Sequence, residues 1–226
     1  MSGNASIPPP RPATERANRE SSVPVSVAQR CGPSCYDERM ATVAKLMTAE
    51  EFACLPDPPQ GGKMELFEGR VVTMPPASGE LGERSMDIGA MLRAFVRRHG
   101  LGRVGPEIGF MLARNPDIVF GPDVAFLSQE RVTQSNWQEG FIEGPPTLAV
   151  EVVSPNDRAM EVQTKVETYL RYGTQRVWVV EPKTRTVTVH RPGGDSHTFH
   201  IGEALTSGDA AFSVEGFSLP LDELFD

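Results

Sequence analysis

Residues 147–182 constrain this chain more than any other stretch. They open with a short apolar run, 148–153, which carries one carboxylate, Glu151, in its middle and breaks at Ser154-Pro155-Asn156. A helical stretch containing Lys165 follows, stops at Gly173, and gives way to a second apolar run at 177–180. The order is strand, helix, strand, with a charge where a core strand should be apolar. A strand buried on both faces reads as a nearly continuous hydrophobic run. An ionised carboxylate there is costly unless a metal or a cation compensates it. Glu151 therefore marks a functional site, or else a strand end that reaches solvent.

The chain has 226 residues, enough for one full core and more. No run of about 18 apolar residues is present, so no membrane span is expected, and the N-terminus lacks the layout of a secretory signal. Three cysteines, Cys31, Cys35 and Cys54, are an odd number and too few for a disulfide framework. Cys31 and Cys35 have no His or further Cys pair nearby to complete a zinc site. A cytoplasmic, reducing compartment is the expectation.

Charge is unevenly spread. Residues 1–45 hold six Lys/Arg and four Asp/Glu, so the overall −8 leaves −10 on residues 46–226. That acidic part lacks the wide basic footprint of a protein that holds nucleic acid by charge alone. An enzyme that meets phosphates through a local patch and a divalent ion is less affected by this. Residues 1–45 are rich in Pro, Ser, Arg and Ala without apolar periodicity, and read as a disordered arm before a single domain at 46–226.

Order is expected to begin at Met47. Thr48 with Glu51 fits a capping box at the start of a short helix that ends before Pro56. Residues 63–74 read as a hairpin turning at Glu68-Gly69. A helix over 80–99 follows, with Met86, Ile88, Ala90, Met91, Leu92, Phe95 and Val96 as its core stripe. Arg84, Arg93, Arg97 and Arg98 form either a small phosphate-facing patch or a solvated face. A glycine-rich turn at 100–105 leads into a second hairpin, with arms at 107–113 and 118–128. The returning arm contains Gly121-Pro122-Asp123; the proline has no amide donor and interrupts strand pairing, which leaves Asp123 at a break. A loop spans 129–146. Beyond Pro182, residues 186–191 pair with 177–181, and two short strands and a tail at 219–225 close the domain.

Period-two alternation puts Ala149, Glu151 and Val153 on one strand face, with Leu148, Val150 and Val152 on the other. If the Asp123 strand lies beside this one, both carboxylates converge on one side of the sheet. Asp123, Glu151 and the backbone carbonyl of Val152 then make a hard oxygen site suited to Mg²⁺. Lys165 falls on the edge of the inward face defined by Val162, Val166, Tyr169 and Leu170. It can snorkel outward, pair with Glu161 one turn earlier, or point at the strand ends and orient a water.

These residues, taken as an ordered set, carry a resemblance. Pro122-Asp123, Glu151-Val152-Val153-Ser154-Pro155, Glu161-x-x-x-Lys165-x-x-x-Tyr169, Tyr172-Gly173 and Val177-Trp178-Val179-Val180-Glu181-Pro182 resemble a bacterial family of restriction-endonuclease-like proteins. This is the Uma-two family, within the PD-(D/E)XK nuclease superfamily. The openings Leu46-Met47-Thr48-Ala49-Glu50-Glu51-Phe52, Glu65-Leu66-Phe67-Glu68-Gly69-Arg70-Val71-Val72 and Met74-Pro75-Pro76 are similar to that family's N-terminal part. The resemblance covers about residues 45–222.

It implies an α/β (α+β) restriction endonuclease-like fold: a mixed central sheet flanked by helices, with N-terminal β-hairpin additions. It also implies Mg²⁺-dependent (or Mn²⁺-dependent) hydrolysis of DNA phosphodiesters. Asp123 and Glu151 match the motif acids and metal ligands. The usual motif lysine position, two after Glu151, is Val153; Lys165 matches the family's lysine on the following helix. Relatives often carry a histidine near position 81, where this chain has Leu81, and an Asp where it has Glu161. Glu65 and Glu107 are candidate outer-sphere acids. Cutting two strands takes two sites, which points to a homodimer. The competing readings are a catalytically inactive binding or assembly module, and a small-molecule hydrolase using the same metal site.

Overall fold

The computed structural model describes residues 45–154 and 157–226. The expected arm before Lys45, Cys31, Cys35, Pro155 and Asn156 lie outside the described residues.

Thr48 accepts from the Glu51 amide while the Glu51 carboxylate accepts from the Thr48 amide, so the capping box starts α1 (Ala49–Ala53) as expected. The hairpin follows as β1 (Lys63–Phe67) and β2 (Arg70–Met74), turning through Glu68 and Gly69, both at positive φ. Helix α2 (Gly79–His99) is capped by Ser78 and stopped by Gly100 in the left-handed region. Then come β3 (Gly102–Gly105), β4 (Phe110–Ala113), β5 (Ile118–Phe120), β6 (Val124–Ser128), α3 (Gln129–Gln134) and β7 (Ile142–Glu143). The central segment is β8 (Leu148–Val152), α4 (Ala159–Arg171) and β9 (Arg176–Glu181). The chain closes with β10 (Thr186–His190), β11 (Ser196–Phe199), β12 (Ala204–Thr206), β13 (Ser218–Pro220) and α5 (Leu221–Phe225).

The architecture is mixed α/β, with two mixed sheets and a two-stranded ribbon rather than the single central sheet expected. One sheet has six strands in the order β11-β10-β9-β8-β6-β3; the other has five, β2-β1-β5-β4-β7; β12 pairs with β13. In the six-stranded sheet β8 runs parallel to β9, across the α4 crossover, and antiparallel to β6. The hairpin β1-β2 is an edge of the five-stranded sheet through β1 and β5.

Strand β8 is buried along its whole length. Its Leu148, Val150 and Val152 face a core with Ile88, Leu92 and Val96 of α2 and Trp178 of β9. Its Ala149 faces a second core with Val166 and Tyr169 of α4 and Phe110, Ile118 and Phe120 of the five-stranded sheet. Each fully buried aliphatic contributes about 1.5–3 kcal/mol. A third, smaller core seats Phe52 of α1 on Leu66 and Val119.

Further expectations are corrected. The break expected at Gly121-Pro122-Asp123 is present, but the two halves of the returning arm, β5 and β6, belong to different sheets and not to one hairpin arm. The glycine-rich stretch at 100–105 is mostly strand, β3 pairing with β6. The loop 129–146 contains α3 and β7, and three strands rather than two follow β10. Met86 is 70% exposed, not core. At 100° per residue it lies 200° from Ile88, across the helix from the stripe of Leu81, Ile88, Leu92 and Val96. Ala90 is exposed for the same reason.

Candidate functional site

Proline at 122 ends the pairing of β5, and the chain passes from one sheet to the other at this seam. Asp123 is the last residue before β6 resumes. The register Val124↔Val150, continued by one residue, sets Asp123 opposite Glu151. The Asp123 carboxylate takes over from the missing ladder: Oδ2 accepts from the Val152 amide at 2.7 Å. Its Oδ1 accepts from the Lys63 ammonium, also at 2.7 Å. Lys63 donates in addition to the Gly121 carbonyl at 3.1 Å.

Glu151 is held on both oxygens. Its Oε1 accepts from the Tyr169 hydroxyl at 2.9 Å and its Oε2 from the Lys165 ammonium at 2.8 Å. Lys165 donates a second time, to Oε1 of Glu65 at 3.1 Å, and its nitrogen lies 5.6 Å from the centre of the Phe120 ring. The same Glu65 oxygen accepts from the Gly121 amide at 3.0 Å. Gly121 thus joins the two halves of the site, its N–H to Glu65 and its carbonyl to Lys63. All five charged side chains border one cleft of about 980 Å³.

The structure therefore brings together Asp123, Glu151 and Lys165, and places the Val152 backbone beside them. Of the three options open to Lys165, it takes the inward one. The Glu161 pairing is not made; Glu161 instead stands 3.9 Å from Arg158. Glu65 is at the centre of the site, whereas Glu68 is exposed in the hairpin turn. Glu107 and Leu81 line the cleft, and Val153 packs against the second core. Arg84 serves the fold by donating to the carbonyls of Leu224 and Asp226, while Arg93, Arg97 and Arg98 are exposed on α2.

Two members of the site were not read from the sequence. Tyr169 was legible, since it stands one turn after Lys165 on the same face, but its apolar neighbours gave it a core role. Lys63 carried no such signal. Only the alternation Lys63-Met64-Glu65 ties it to Glu65, and nothing local says that β1 pairs with β5.

A family model described as "Putative restriction endonuclease", that of Uma2, matches residues 49–221. The chain belongs to the Uma2 family. A crystal structure described as that of "a putative nuclease belonging to DUF820" from Anabaena variabilis ATCC 29413 is similar in fold. It superposes with a TM-score of 0.65 over 79% of this chain and 97% of the other, at 22% identity. At that identity the likeness speaks for the fold alone. No curated protein matches the sequence. The Uma2 match contains all of Lys63, Glu65, Asp123, Glu151, Lys165 and Tyr169.

Electrostatics separates the groups. Burial pushes the Glu151 carboxyl above the usual carboxylate range, with Lys165 and then Lys63 pulling it back. Burial works against the Lys165 ammonium, but Glu151 and Glu65 outweigh it, so its pKa stands well above the ordinary lysine value. Lys63 is raised by the same balance, with Glu151 the leading carboxylate. Burial, with Glu151 next, lifts the Tyr169 hydroxyl far out of its normal range. Both lysines are therefore protonated cations at neutral pH, and Tyr169 is a neutral donor.

Three carboxylates against two ammonium groups leave the cluster one negative charge in excess. Hard oxygens in that number suit Mg²⁺ or Mn²⁺ chemically. Among the described residues no three His, Cys, Asp or Glu side chains stand together as a ready-made cage. Lys165 stands between Glu151 and Glu65, and Lys63 takes up Asp123. No helix among the described residues is long and apolar enough to cross a membrane.

Proposed function

We propose that this chain is a metal-dependent endodeoxyribonuclease of restriction endonuclease-like fold. The observation that carries the reading is the meeting of Asp123, Glu151 and Lys165 in one cleft, from three separate elements. The Uma2 membership supports it.

In this reading Asp123, Glu151 and the Val152 carbonyl would hold Mg²⁺ or Mn²⁺. When bound, such an ion acidifies a water and stabilises charge on the phosphoryl group. Lys165 does not act as a base, because its proton is held by two carboxylates. Its ammonium instead positions the attacking water and offsets negative charge as it develops on phosphate oxygens. Tyr169 keeps the Glu151 carboxylate turned towards the cleft rather than into the core. The acidic cleft, with Glu107, Asp157 and Glu161 also on its wall, gives a DNA backbone little to hold without divalent ions. A homodimer, with one such site per strand, is the assembly that double-strand cutting calls for.

The second reading is a catalytically inactive nuclease-fold module for binding or assembly. It draws on the lysines already paired to both motif acids and on Leu81 in the cleft wall. Plasmid nicking in Mg²⁺ or Mn²⁺, against EDTA and Asp123→Asn, separates the two. Metal-dependent cleavage that the variant loses is the expected result. Wild-type protein that leaves plasmid intact in either ion across a range of pH and salt overturns the nuclease reading in favour of the module.

A further inference from the structure

The Asp123 carboxylate has two oxygens with different freedom. Oδ2 is tied to the Val152 amide, a backbone group of the central strand that cannot turn away without opening the β6-β8 pairing. Oδ1 is therefore the oxygen a ligand in the cleft can reach, and the Lys63 ammonium occupies it. Lys63 is the first residue of β1 and lines the cleft, and its side chain retains 22% exposure. Its second partner is only a carbonyl, that of Gly121. Lys165, by contrast, is held by two carboxylates and rests on an aromatic ring.

We propose that Lys63 is a tethered placeholder cation. It neutralises Asp123 until a substrate phosphate arrives, then moves onto that phosphate and leaves Oδ1 to the divalent ion. The proposal rests on the reading that Asp123 and Glu151 hold such an ion. An ammonium and a divalent ion on one carboxylate oxygen repel each other, so each weakens the other's hold on Oδ1, whereas at Glu151 the ammonium sits on Oε2 and Oε1 has only the neutral Tyr169 hydroxyl. A phosphate offers the displaced ammonium an equivalent partner. Ion and polyanion then favour each other's binding, as linkage requires of any shared displacement. In this role Lys63 is a positioning residue that makes ion binding conditional on substrate, in a cleft that is otherwise acidic enough to collect cations.

The test is calorimetric titration of full-length protein with Mn²⁺ alone, on wild type, Lys63→Met, Lys63→Gln and Asp123→Asn, each first checked for a cooperative melt. The glutamine variant keeps a donor without the charge and serves if the methionine variant does not fold. Removing the competing ammonium is expected to tighten Mn²⁺ binding about tenfold in the absence of DNA. A short DNA duplex, titrated with Ca²⁺ as the ion, is expected to tighten ion binding to wild type but much less to Lys63→Met. If the Lys63 variants bind Mn²⁺ as wild type does or more weakly, while Asp123→Asn loses binding, the placeholder role is overturned and the metal site stands. If Asp123→Asn binds Mn²⁺ as wild type does, the metal-site reading itself falls and takes the placeholder with it.

Discussion

Two carboxylate–ammonium pairs line the cleft and differ in how they are held. Glu151–Lys165 joins a strand buried on both faces to a packed helix, and every site oxygen of Glu151 has a donor. Asp123–Lys63 sits on the seam between the sheets, with 22% and 21% of the Lys63 and Asp123 side chains exposed against 17% and 11% for Lys165 and Glu151. A buried pair is costly to break because the survivor is left charged in a poor solvent. The more exposed pair is the better screened of the two, and its partners can more readily find others. The first pair is built as framework and the second as an exchangeable contact.

Mutations can break or sharpen that contrast. The largest effect is expected on activity: Glu151→Gln or Asp123→Asn should lower Mn²⁺-dependent plasmid nicking at least about a hundredfold, since both are direct ligands in the proposed site. Next comes stability. Lys165→Met strands Glu151 and Glu65 and should cost about 3–5 kcal/mol in urea unfolding. Because the folded pKa of Lys165 is raised, its contribution is whole below the ordinary lysine value and is lost only as pH rises through the folded one. The gap between wild type and Lys165→Met should therefore stay flat from about pH 7 to about pH 9. Tyr169→Phe removes one charge-assisted hydrogen bond and should cost about 2 kcal/mol by the same measurement. Lys63→Met should cost less, about 1 to 2 kcal/mol, because Asp123 keeps the Val152 amide. Equal losses from the two lysine variants would erase the distinction between framework and exchangeable pair.

Much of this was legible locally. The alternation through β8 put Glu151 on the face opposite Val150 and Val152, and the structure keeps it there. Pro122 marked the break that frees Asp123. The helical spacing put Lys165 at the edge of the inward face, and the choice between inward and outward was settled by what lies beneath it: Glu151 from β8 and Glu65 from β1, the latter 100 residues away. The same limit explains the errors. The arm from Ile118 to Ser128 shows its break at Pro122, but not that its two halves pair with different partners, β4 and β1 for one, β3 and β8 for the other. Hydrophobicity alone assigns Met86 to the stripe, and the helical period does not.

Sequence by itself determined the strand–helix–strand unit, the charge inside its first strand, the capping box of the first helix and the family, because these depend on periodicity and on residues close in the chain. Tertiary structure alone decided that β1 lies against β5, and so brought Lys63 and Glu65 to acids set by β6 and β8. Pairing between distant strands depends on how whole faces bury together, and no single stretch of sequence carries that information.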